Sequence, residues 1–443
     1  MIRKFVSSCA LVVLLAGCAA DLDTADNAYK QGDYKTARAH WDELARRGFP
    51  EAETKLGEMK MTGTGVPADP KGAVRLFEHA TREKYPGAYI ALGKAYKEGK
   101  GAPVNRDKAR GMFSKALMLG DRRSYYQLGA LDLEQNNYAG AEKHFLAAAN
   151  GGDSRAWYQL GLVAEARGNT AQADKYFGNA VAAGDTHAWY RLGKLYLARN
   201  RYGEAERAFT KALAAGHGDA NFHLGVIHEK QGKTDLAVND FTRAAQTGDI
   251  AAYRHLGDLH QARGRADLAE AAWTKGAALG DRQLHYRLGK LHKDAGNTEK
   301  AESAFENSLA AGNTKAVYNL GQLHKKAGKN IEAERELVSA ASVHGRRDAY
   351  LPLGDVQKRL GKYDTAMENY NNALKSGDKR ALVRIAEMYK KGEGRPVDIV
   401  QALSLLYQAR KAGVAGLDKK ITSLEKKLQP EGISRAYQIA NRD

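Results

Sequence analysis

The sequence predicts an all-α fold, a right-handed α-solenoid of about twelve helix–turn–helix repeats closed by C-terminal capping helices. A Leu-Gly pair is the first sign, with its leucine at Leu56, Leu92, Leu128, Leu160, Leu192, Leu224, Leu256, Leu288, Leu320 and Leu353, and Ile385-Ala386 in the next slot. The intervals are 36, 36, six of 32, then 33 and 32. A second column keeps the same register, an alanine followed four residues later by a bulky side chain: Ala37 and Trp41, Ala109 and Phe113, Ala205 and Phe209, Ala269 and Trp273. Seven residues further on, a glycine usually closes the unit, as at Gly120, Gly152, Gly184, Gly216, Gly248, Gly280 and Gly312. With 8 prolines in 443 residues, the composition suits many short helices ended by glycine.

The first seventeen residues are set apart from the fold. Arg3 and Lys4 give a positive start, and residues 5–16 form an apolar run too short to span a bilayer well. The run ends in Leu15-Ala16-Gly17-Cys18, which resembles the bacterial lipobox. That resemblance implies cleavage before Cys18 and acylation of its thiol; the alternative is an ordinary cleaved signal with an incidental cysteine. Ala19 is not the aspartate that retains lipoproteins in the inner membrane, so outer-membrane sorting to the periplasmic face is expected. Of the two cysteines, Cys9 falls in the removed segment, which leaves Cys18 alone and no intramolecular disulfide. Several acyl chains on one cysteine pass the two-anchor threshold for stable attachment.

Within each repeat, alanine and aromatic at i and i+4 share one helix face. The alanine lets two backbones approach, the aromatic fills the space beside it, and the Leu-Gly glycine serves the same approach on the first helix. One such hairpin cannot bury its apolar face alone, so neighbours must stack into a continuous core. Hydrophobic residues at 43% suffice for that core.

This spacing resembles tetratricopeptide repeats, and the longer units resemble their Sel1-like variant. Sel1-like units carry a Gly-x-Gly-x-Pro turn before the second helix, seen here as Gly63-Thr64-Gly65-Val66-Pro67 and Gly99-Lys100-Gly101-Ala102-Pro103. A third, Gly392-Glu393-Gly394-Arg395-Pro396, departs slightly because Arg395 directly precedes the proline. The expected organisation is a signal peptide at 1–17, the repeat solenoid at 18–415 and capping helices at 416–443, divided near Pro430.

No catalytic constellation stands out, and an enzyme is not expected. Serines lack a strand–turn–helix elbow, and carboxylates alternate with lysines as solvated helix faces do. Gly232-Lys233-Thr234 looks like the end of a phosphate-binding loop, but Ile227 stands where that loop needs glycine. His228, His260, His292 and His324 form a column, each four residues after its leucine, with Tyr96 and Tyr196 in the same slot elsewhere. Packing is the expected role, since neighbouring helices about 8–10 Å apart set the histidines poorly for one metal; metal binding or pH sensing is the alternative. No metal or cofactor is expected.

The first helices carry the candidate binding face. Two residues before the leucines stand Tyr126, Tyr158, Tyr190, Phe222, Tyr286 and Tyr318, interrupted by Arg254. Five or six residues after them stand Lys293, Lys325, Lys326, Lys358, Arg359, Lys390 and Lys391. In tetratricopeptide families this face lines a concave groove, so the resemblance implies a groove that turns from aromatic to basic. Packing between first helices is the alternative for the tyrosines, and solvated helix ends for the lysines. The chain carries a net charge of +17, and residues 379–443 hold 14 basic against 7 acidic side chains. A basic surface attracts polyanions and acidic proteins. The secretion signal argues against nucleic acid.

Sel1-like lipoproteins of this layout are similar to the outer-membrane scaffold of alginate secretion, the shared features being the lipobox, repeats filling the chain and a helical tail. The resemblance implies a periplasm-facing scaffold in an exopolysaccharide secretion or envelope assembly complex. Its partners would be an outer-membrane porin and periplasmic export proteins. Two alternatives stay open: direct binding of acidic polysaccharide, and assembly of pili or another envelope machine.

Overall fold

The computed structural model describes residues 21–441, so the cleavage site and Cys18 lie outside it. The chain forms twenty-six α-helices among these residues and no strand. Helix α1 covers 21–30, α2 Tyr34–Arg46, α3 Pro50–Thr62 and α4 Pro70–Arg82, and the alternation continues to α23 (Arg380–Lys391) and α24 (Ile399–Lys411). This gives twelve antiparallel pairs, so the expectation of an all-α helix–turn–helix solenoid holds. Helices α25 (Asp418–Glu425) and α26 (Pro430–Ala440) follow. The chain divides into two compact units, Met1–Ile227 and His228–Asp443. No helix among the described residues is long and apolar enough to cross a membrane.

Both units are built by the same interlock. Column alanines such as Ala205, Ala237 and Ala301 and aromatics such as Phe209, Phe241 and Phe305 are completely buried. The Leu-Gly glycine lies under the aromatic ring of its own repeat. A Cβ built on Gly193 would sit 2.7 Å from the Phe209 ring, and one on Gly289 2.6 Å from Phe305. No real Cβ tolerates that approach, so the missing side chain is what lets the two helices of a pair close.

The turns follow equally simple rules. Gly120, Gly152, Gly184 and Gly216 close second helices with φ between +91° and +95°. Asn136 and Asn200 take the left-handed conformation that Gly168 and Gly232 hold in the corresponding slot after the first helix. In the longer units the Gly-x-Gly turn folds back, and the amides of Asp69, Asn105 and Asp398 donate to carbonyls of the first helix at 2.8–3.0 Å. The same three side chains then cap their second helices, accepting from Gly72, Lys108 and Gln401. The single 33-residue spacing also has a structural basis. Helix α20 (Asn330–Val338) runs into a π-helical turn at Ser339–Val343, which takes up the extra residue.

The last hairpin is covered by α25 and α26. Leu417, Ile421, Leu424 and Ala436 are buried in one cluster with Leu403 and Leu406. The Tyr407 hydroxyl donates to Glu425 at 2.7 Å, and burial beside that carboxylate pushes the phenol up to about 12.

Candidate functional site

The tyrosines of the first-helix face are half-buried and do two jobs at once. Each ring packs on the aromatic of its own second helix: Tyr126 on Phe145 at 5.5 Å, Tyr158 on Phe177 at 5.6 Å and Tyr190 on Phe209 at 5.8 Å in the first unit. Tyr286 on Phe305 at 5.7 Å repeats the arrangement in the second. Three of the hydroxyls reach thirty-three residues on, to the first helix of the next repeat. Arg191 donates to Tyr158 at 3.3 Å, His223 meets Tyr190 at 3.0 Å, and Asn319 donates to Tyr286 at 3.2 Å. These contacts fix the rings and leave part of each at the surface. Phe222 sits beside His223, 5.6 Å between centroids. At Tyr318 the π-helical turn is followed by Arg346, whose guanidinium lies 3.9 Å over the ring. Arg254, which interrupts the column, is tied to Asp281 at 2.9 Å.

The lysines are placed differently from one another. Lys325 pairs with Asp355 at 2.7 Å, and Arg384 takes the other oxygen of the same carboxylate at 2.8 Å. Burial raises Asp355, but those two cations outweigh it and hold the carboxyl below its ordinary range. Lys358 pairs with Glu393 at 3.1 Å, and Lys391 reaches the same residue at 3.8 Å. Lys293 donates to Asn319 at 3.1 Å, and Arg359 donates to the Lys325 carbonyl at 3.0 Å. Lys326 and Lys390 are exposed. Of the seven cations in this column, Lys325, Lys358 and Lys391 are therefore paired with carboxylates, and the other four make no ion pair among the described residues. For Lys325 and Lys358 the carboxylate lies one repeat away.

The histidine slot pairs with carboxylates of second helices at His228, His292 and His324, whereas His260 has alanine and valine at the partner positions and its Nδ1 is buried without a hydrogen bond. His228 meets Asp240 at 2.6 Å, twelve residues on in its own repeat. His324 meets Glu336 at 2.7 Å by the same step and Glu302, twenty-two residues back, at 2.9 Å. Tyr196 reaches Asp174 by that backward step at 2.8 Å. In the same slot, buried Asp132 accepts from Arg110 at 2.8 Å and meets His144 at 2.6 Å. The partner carboxylates at +12 and −22 are the functional detail that sequence reading missed, although the repeat arithmetic contained them. Among the described residues no group of three or more His, Cys, Asp or Glu is set to hold a metal.

His324 gives this pairing a testable pH dependence. Burial lowers its pKa, but hydrogen bonds to Glu302 and Glu336 outweigh burial and raise it above the ordinary 6.5. A histidine held charged in the folded state contributes stability that is full below 6.5 and fades as pH rises through the raised midpoint. The expected result is an NMR titration of His324 with a midpoint above 6.5, and local stability of α19 (Lys315–Ala327) and α20 that falls as pH rises through it. A midpoint at or below that value contradicts the bridged arrangement.

Comparison with known families agrees with this geometry. Sel1 repeat models match residues 50–84, 86–121, 117–153 and 379–414. Tetratricopeptide repeat models match 19–43, 154–183, 190–255, 286–352 and 348–376. A protective antigen of uropathogenic Escherichia coli with an SLR fold, c5321, is 24% identical, with a TM-score of 0.57 over 96% of this chain and 91% of that one. A Sel1 repeat protein from Oxalobacter formigenes is also 24% identical, with a TM-score of 0.41 over 47% of this chain and 88% of its own. Pseudomonas aeruginosa pilF is 18% identical, with a TM-score of 0.39 over 46% of this chain and 94% of its own. No curated protein matches the chain. The chain is a Sel1/tetratricopeptide repeat protein of the SLR fold, with Sel1 repeats at 50–153 and 379–414 on either side of a tetratricopeptide stretch.

Proposed function

We propose that this chain is a lipid-anchored scaffold on the periplasmic face of the outer membrane, and that it docks partner proteins of an exopolysaccharide export or envelope assembly complex along its first helices. Repeat proteins of this family bind through extended faces rather than one deep pocket, and protein partners are the expected ligands. The observation that carries the reading is the first-helix face itself. Rings held from below by a phenylalanine and from the side by the next repeat present a surface already ordered before any partner arrives. The lipobox at Cys18 supports the location. A tether of that kind raises the effective concentration of two partners bound to the same chain without any new contact between them.

The test joins location to docking. Replacing residues 1–18 with a signal peptide that is cleaved without acylation is expected to move the chain from the membrane fraction to the soluble periplasmic fraction. Crosslinking in intact envelopes should capture an outer-membrane porin or periplasmic export protein from the parent chain. Lys326→Glu with Lys390→Glu, which breaks no ion pair of the described residues, should weaken that capture. An unacylated mature terminus overturns the anchoring. Capture that is unchanged by the double reversal overturns docking at this end of the face.

A further inference from the structure

We propose that the cleft beside Tyr286 is a binding site for the carboxylates of an acidic polysaccharide. It is a cavity of about 580 Å³ in the second unit, between α17 (Leu284–Asp294) and the turn that leads into α19. Arg282, Arg287, Lys290 and Lys315 line it, and no carboxylate does. Arg287 is steadied by Asp258 at 2.6 Å. Arg282, Lys290 and Lys315 make no ion pair among the described residues, and all three are exposed.

The contrast with a neighbouring cavity makes this informative. A cleft of about 540 Å³ near the C-terminal end is also lined by four cations, Lys325, Arg380, Arg384 and Lys420. There each is paired with a carboxylate, Lys325 and Arg384 sharing Asp355 while Arg380 meets Asp378 and Lys420 meets Glu387 at 2.6 Å. Positive charge in that cleft holds the fold together. Positive charge beside Tyr286 is left for something else, and gathering like charges around a concave wall focuses potential onto an arriving anion.

The rest of the lining selects the class of anion. Gln283 and Asn313 offer amides, while Ala311 is the largest aliphatic side chain present. A peptide anchor needs an apolar wall, which this cleft lacks. A ring carrying hydroxyls and a carboxylate finds amide partners, charge-assisted donors and the edge of a tyrosine. The site is also set in advance. Phe305 packs against Tyr286 and Asn319 holds its hydroxyl, while Asn313 accepts from the Lys315 amide at 3.2 Å. The site's chemistry is independent of the membrane location, and only the identification of its ligand with an exported polymer rests on the function proposed above.

The experiment measures binding of polygalacturonate to the purified full chain in detergent, at low and high salt, with dextran and poly-L-glutamate as comparison ligands. The expected result is salt-sensitive binding of polygalacturonate, weaker binding of poly-L-glutamate and none of dextran. Lys290→Glu with Lys315→Glu should lower affinity by about tenfold or more. Lys175→Glu with Lys233→Glu carries the same change in net charge at exposed positions away from the cleft and should lower it far less. Lys290→Gln with Lys315→Gln serves where reversal disturbs helicity, and should also weaken binding. The proposal is overturned if polygalacturonate does not bind, if poly-L-glutamate binds more tightly, or if both reversals act equally. None of these outcomes depends on where the chain resides, so failure here is distinct from failure of the anchoring.

Discussion

Replacing Phe209 with alanine is expected to destabilise its repeat by about 3–5 kcal/mol. The ring is completely buried. Tyr190 packs on it from the same hairpin at 5.8 Å, and His223 stacks on it from the next repeat at 4.8 Å with the planes 13° apart. Truncation removes the transfer free energy of the ring and leaves a void that helices held at both ends cannot close. Because each repeat contacts mainly its neighbours, the loss should appear as faster amide exchange in α11 (His187–Ala198) and α12 (Tyr202–Ala214), with distant repeats little changed. Uniform loosening along the whole first unit contradicts a nearest-neighbour core.

The second large effect comes from the glycine that faces this ring. Gly193 lies within α11, where glycine costs about 1 kcal/mol of helix propensity relative to alanine. Propensity alone therefore favours substitution. Packing overrides it, since a Cβ would stand 2.7 Å from Phe209 and valine would add two methyl groups beyond that. Gly193→Val is expected to destabilise the hairpin by about 1–3 kcal/mol. Gly178, inside α10 (Thr170–Ala182), meets nothing within 4 Å, so Gly178→Ala should instead stabilise its helix by about 0.5–1 kcal/mol. Opposite signs at two helical glycines, read by urea unfolding or amide exchange, separate packing from propensity. The same sign at both contradicts the close-approach account.

Sequence periodicity made the core legible because it is a local matter. The alanine, the aromatic and the glycine of one hairpin sit within about 25 residues, and helix geometry fixes which of them share a face. The Gly-x-Gly turns were legible for the same reason. The polar contacts were not. Lys325 meets Asp355 thirty residues on, Lys358 meets Glu393 thirty-five on, and Tyr158 meets Arg191 thirty-three on. These steps differ from the 32-residue repeat by small offsets set by how one hairpin lies on the next, which no column of identical residues records. The basic excess was visible, but its compensation by Asp355 and Glu393 was not. The cations that stay uncompensated beside Tyr286 included Arg282, Lys290 and Lys315, which fall outside the columns that drew attention to the face. The π-helical turn at Ser339–Val343 was visible only as one extra residue in the spacing.

The central physical claim is that glycine and aromatic occupy one shared space in each hairpin, and that this interlock makes the ordered face on which binding depends. A double-mutant cycle between Gly193→Val and Phe209→Ala measures it directly. Valine should partly fill the void left by the ring, so the double variant should be more stable than the sum of the two losses, by a coupling of about 0.5–3 kcal/mol. Losses that simply add would contradict the interlock.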